Sequence, residues 1–95
     1  MKQIEKKIEE LTALFDEKNA MLETSENDRD ECWESVCELE QEHTKEADIL
    51  LEEAYEDYEE ARLKCIDLEM DCDTLEEIIR LLNRVLDIAD ENNIK

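Results

Sequence analysis

Four cysteines and one histidine are what this sequence offers for thiol–imidazole nucleophilic catalysis or for a soft metal site. A thiol and an imidazole that act together must lie within hydrogen-bonding reach, which on a helix means three or four residues apart. Cys37 and His43, the nearest pair, are six apart. Zinc sites pair cysteines three or four residues apart, as CxxC or CxxxC, and add a second pair or histidines, whereas Cys32 and Cys37 are five apart and Cys65 and Cys72 seven. The run Asp71-Cys72-Asp73 with Glu76 has the acidic opening of a calcium loop, but the glycine required at the bend of such a loop is missing. Divalent cations therefore meet an acidic face and no defined site. We expect no catalytic, cofactor-binding or metal-binding residue, and the chain reads as a non-enzyme.

These residues sit in heptads. Ile4, Ile8, Leu11, Phe15, Leu22, Cys32, Val36 and Leu39 follow one another at spacings of three and four or sums of these, an a/d seam with a at 8, 15, 22, 29 and 36. A second seam runs through Ala47, Leu51, Ala54, Tyr58, Ala61, Cys65, Leu68, Cys72, Leu75, Ile79, Leu82, Leu86 and Ala89, with a at 51, 58, 65, 72, 79 and 86. The two frames differ by one residue, a register shift near 39–51 centred on His43 that should locally unwind a supercoil. Cys65 and Cys72 fall at a and Cys32 at d, so the thiols read first as small core hydrophobes. If two helices pair in parallel register, the same three are candidates for interchain disulfides.

A chain of 95 residues with no glycine and no proline holds none of the usual signals for reversing direction. Charged residues make up 44% and aromatics 4%, as in long helices and coiled coils. One uninterrupted helix of this length would run roughly 140 Å and could bury its seam only against another helix. Acids outnumber bases 31 to 11, for a net charge of −20, which argues against binding nucleic acid or an anionic membrane surface. The excess is concentrated: residues 23–60 hold 17 acids and two bases. A charged partner would be basic. No apolar run reaches the roughly 18 residues of a membrane span, and no signal-peptide pattern opens the chain, so a cytoplasmic and cytoskeletal location is expected.

Alanine at d in 47, 54 and 61 lets two helices approach closely and favours two strands. In a parallel, in-register pair, Asp57 would meet Arg62 and Lys64 would meet Glu69 across the seam, against one repulsive pair, Asp71 with Glu76. The expected fold is therefore all-α: a long continuous helix forming a parallel two-stranded coiled coil, a homodimer. The front seam weakens at Lys18, Ser25 and Arg29, and residues 23–31 carry cap-favouring Thr24, Ser25, Asn27 and Asp28. That weak region is where the helix is expected to fray, with a hairpin turn folding back residues 1–22 as the lesser alternative.

The opening Met1-Lys2-Gln3-Ile4-Glu5-Lys6-Lys7-Ile8-Glu9-Glu10-Leu11 resembles the first two heptads of a leucine zipper of the yeast bZIP transcription-activator type, with isoleucine at core positions. The likeness departs at Lys6 and ends after Leu11. It implies a dimerisation clamp over residues 1–11, with Ile4, Ile8 and Leu11 in the core, fused in register to a rod segment over residues 12–95. The remainder, including Leu14-Phe15-Asp16-Glu17-Lys18-Asn19, is similar in a generic way to the two-stranded rods of myosin and tropomyosin, although its acids and bases alternate less evenly.

Leu75 to Ala89 differs in kind. Beside the seam residues Leu75, Ile79, Leu82 and Leu86 stand Ile78 and Val85 at g and Leu81 and Ile88 at c, an apolar stripe wider than a two-stranded seam consumes. These eight residues are the candidate partner-binding surface, for further helices of this chain or for an amphipathic helix. Two functions are expected: a structural rod segment of a filament, motor tail or cytoskeletal scaffold, or an adaptor that recruits a partner through its acidic middle or this stripe.

Overall fold

The computed structural model describes residues 2–93, with side chains for residues 2–90. The chain is all-α, and its two helices are α1, Lys2–Gln41, and α2, Lys45–Asn93. At 1.5 Å per residue, helices of 40 and 49 residues are about 60 and 74 Å long, and the molecule measures 76 × 15 × 13 Å. Those dimensions leave room for one helix lying along the other and none for the two placed end to end. Lys18 reaches Asp71, Trp33 stacks on Tyr58 and Tyr55 bonds to Glu40, so the residue numbers of each cross-helix pair add to roughly 90 and the helices run antiparallel. The single continuous helix expected from the sequence is thus corrected to a helical hairpin.

The chain reverses over Glu42, His43 and Thr44, at the register shift and far from the weak region 23–31, through which α1 runs unbroken. Glycine is needed in a turn only where φ must be positive. No described residue has positive φ, so this turn does without one. Glu42 N–H closes α1 on the Leu39 carbonyl at 3.2 Å. Thr44 then caps α2: its Oγ1 accepts from Ala47 N–H at 3.0 Å and its carbonyl from Asp48 N–H at 3.1 Å. Glu46 and Asp48 add negative charge where the α2 dipole favours it.

The two seams face one another. Every a and d residue named above from Ile4 to Ala89 is buried or half-buried, including the poor seam residues Lys18, Ser25 and Arg29. The deepest are Val36 at 0%, Cys65 at 1% and Ala47 at 2% exposure. The antiparallel register explains how α1 accommodates its polar seam positions. It sets Ser25 level with Cys65 and Arg29 level with Ala61, small residues that leave room for them. Lys18 lays its stem along the seam beside Cys72 and sends its ammonium out to Asp71 at 3.5 Å. In a parallel in-register dimer, Lys18 and Arg29 would instead each face their own twin, like charge against like.

Candidate interaction face

Of the eight residues in the candidate surface, the hairpin takes four into its seam. Leu75 is 9% exposed, and Ile79, Leu82 and Leu86 are half-buried against α1. Phe15 and Ile79 line one open cleft between the helices, together with Thr12 and Glu76. The other four stay outside: Ile78, Leu81, Val85 and Ile88 are 39 to 50% exposed. Their spacing of three, four and three residues keeps them on one flank of α2 over about three turns. Leu14, 38% exposed, extends this flank onto α1, where it borders a cleft shared with Asp71, Thr74 and Leu75. Sequence reasoning places Leu14 only within a rod-like run and misses it as part of this face. Its g position in the first frame is the available signal, and only the antiparallel register brings it beside α2.

The charged surroundings differ from those expected of a parallel dimer. Arg62, expected to reach Asp57 across a seam, instead forks onto Glu59 of its own helix, with Nε 3.1 Å from the carboxylate. Arg80 does the same with Glu77, its Nε at 3.1 Å. The guanidinium hydrogen bonds hold both carboxyls below the ordinary glutamate range. Lys64 borders a cleft with Met21 and Asp28 of α1.

Nearer the turn, Trp33 and Tyr58 meet with ring centroids 5.0 Å apart at 48°, a tilted stack joining the two helices. The Tyr55 hydroxyl donates to the Glu40 carboxylate, and that bond raises the phenol above its usual pKa. The four cysteines are free thiols: Cys65 and Cys72 are buried, Cys32 and Cys37 half-buried. Burial pushes Cys32, Cys65 and Cys72 up in pKa, away from the reactive thiolate. Among the described residues no group of three His, Cys, Asp or Glu side chains is placed to hold a metal ion. No helix among them is long and apolar enough to cross a membrane. The described surface thus carries a short aliphatic flank at the open end of an acidic hairpin, beside separate exposed apolar residues at Ile49 and Leu50 near the turn and at Leu63 and Met70 on α2. No protein-family model, curated protein or solved structure matches the chain.

Proposed function

We infer that the chain is a structural element without catalytic activity, its two heptad seams packed on each other as an antiparallel two-stranded coiled coil. It serves as a stiff, acidic rod segment of a larger assembly. The observation that carries this reading is the burial of both seams along their whole length by the hairpin itself, which leaves a slender body of 76 × 15 × 13 Å. Supporting it are the placement of the one-residue frame shift in the turn and the pairing of Lys18, Ser25 and Arg29 with small residues of α2. The parallel, in-register homodimer uses the same seam residues, so in any one molecule it replaces the hairpin and cannot add to it.

An adaptor role is supported by one feature: the hairpin leaves Ile78, Leu81, Val85 and Ile88 about half exposed on one flank. A helix of opposite amphipathicity, from another chain or from this one, has a surface there to meet.

A distance measurement within one chain tests the hairpin. Glu10 and Arg80 are both exposed and lie at the same level of the rod. Fluorophores attached there through bio-orthogonal side chains, with the labelled protein diluted in unlabelled chain, should transfer energy efficiently. In a continuous helix the same positions lie about 105 Å apart, and transfer would vanish. That result would overturn the reading.

A further inference from the structure

The aliphatic flank of α2 is a second, shorter heptad seam. Ile78, Leu81, Val85 and Ile88 stand to one another as d and a residues do, but they are displaced round the helix from the seam that meets α1. We propose that it docks a second copy of this chain, two hairpins pairing antiparallel, α2 on α2, at their open ends. The proposal rests on the hairpin reading above.

Two observations select this occupant. The first is spacing. About a two-fold axis at Asn83, Ile78 of one chain faces Ile88 of the other and Leu81 faces Val85, so every large aliphatic meets another. A two-fold contact requires such self-complementarity.

The second is charge. Residues 23–74 carry 21 acids and four bases, whereas the two described segments at the open end, 2–22 and 75–93, together carry ten acids and six bases. A second copy is repelled along most of the rod and meets near-neutrality only here. In the antiparallel arrangement each turn lies 40 residues from the axis, about 60 Å, and the two turns point in opposite directions. Screening acts over about 8 Å at physiological ionic strength, so the acidic ends do not oppose the contact. A basic partner would be drawn to the acidic middle and would gain little from four aliphatic side chains.

The test uses the full chain. Light scattering should give twice the chain mass of 11.3 kDa for the wild type. Leu81→Glu/Val85→Glu and Leu81→Lys/Val85→Lys should each give a single chain mass, because like charges then face each other across the axis. Mixing the two variants should restore the dimer, because unlike charges then face each other. In all three proteins the distance between positions 10 and 80 should stay short, which separates loss of docking from loss of the hairpin. A photoreactive group at position 81 of the otherwise native chain should crosslink to the segment around Val85 of a second copy. The proposal is overturned if the wild type is a single chain at every concentration, or a dimer that both double variants leave intact. Crosslinks that run to the turn or to α1 of the second copy also overturn it. A long distance between 10 and 80 sinks the hairpin and the docking together.

Discussion

Thr44 separates a chain that turns from one that does not. In the hairpin its hydroxyl accepts the Ala47 amide at 3.0 Å, and Thr44→Ala removes that acceptor. Loss of a threonine cap costs about 1 kcal/mol, within a range of roughly 0.5–2. Ala47 is only 2% exposed, so water is poorly placed to replace the hydroxyl, and the expected loss is about 1–1.5 kcal/mol. For a domain of this size that lowers the melting temperature by about 4–12 °C. In a continuous helix Thr44 would be an interior residue, and alanine, the better helix former, would stabilise by up to about 0.7 kcal/mol. The sign of the change therefore decides, whatever its size. Thermal and urea unfolding followed by circular dichroism, at one fixed protein concentration, measures it. Thr44→Ser keeps the acceptor and should stay within a few tenths of a kcal/mol of wild type. A Thr44→Ala protein as stable as wild type, or more so, would refute the capped turn.

Val36→Ala removes two fully buried methyls and should cost about 2 kcal/mol in the same urea experiment, whereas Leu63→Ala, at a half-exposed position, should stay within about 0.5. Added salt should raise the melting temperature, because with 21 acids and four bases in residues 23–74 carboxylate repulsion outweighs the few ion pairs, and a fall would reverse that assignment. Acidification from pH 7 to about 4.5 should likewise tighten the rod, and the gain should shrink at lower pH. Glu59 and Glu77 have depressed folded pKa values, so the stability they contribute above the unfolded value of about 4.3 disappears as pH falls through the folded one. Alkylation mapped by mass spectrometry should modify Cys37 and Cys32 before the buried Cys65 and Cys72. Mild oxidation should yield no Cys32-to-Cys32 crosslink, and recovery of that disulfide would favour the parallel dimer.

The heptad pattern locates the seam residues but does not name their partner. Ile4 to Leu39 and Ala47 to Ala89 are the buried or half-buried stripes, because burial on a helix follows periodicity whichever helix supplies the opposite wall. Two signals bear on the partner. Lys18 and Arg29 on a seam would meet themselves in a symmetric parallel pair, and small α2 residues in the hairpin. The alanines at 54 and 61 read as permitting two like helices to come close, whereas the register sets them level with Val36 and Arg29, small against large. The lack of glycine misleads, because a helix-to-helix reversal can be made without a left-handed residue, and Thr44 supplies the cap that marks it. At the candidate face the width of the stripe is legible in the sequence, and so is its content. Its division into Leu75, Ile79, Leu82 and Leu86 inside and Ile78, Leu81, Val85 and Ile88 outside requires the position of α1.

The three-residue turn bears on the order in which the molecule assembles. Next to it loop closure involves few residues, and the buried apolar side chains there, Val36, Ala47 and Ala54, are small, with Leu39, Leu51 and Tyr58 half-buried among them, while acids crowd both helices. The densest run of large aliphatic and aromatic seam residues, Phe15, Leu11 and Ile8 with Ile79, Leu82 and Leu86, lies at the other end, where first contact closes a loop of some 65 residues. Closing that loop instead of one near ten residues costs about 1.5–2 kcal/mol more in chain entropy. Zippering from the turn is thus the shorter route in entropy and the poorer one in early contacts, and carboxylate repulsion raises its first steps. Salt screens that repulsion where the route begins, so it should accelerate folding more than it slows unfolding, and the two arms of a chevron plot would report the difference.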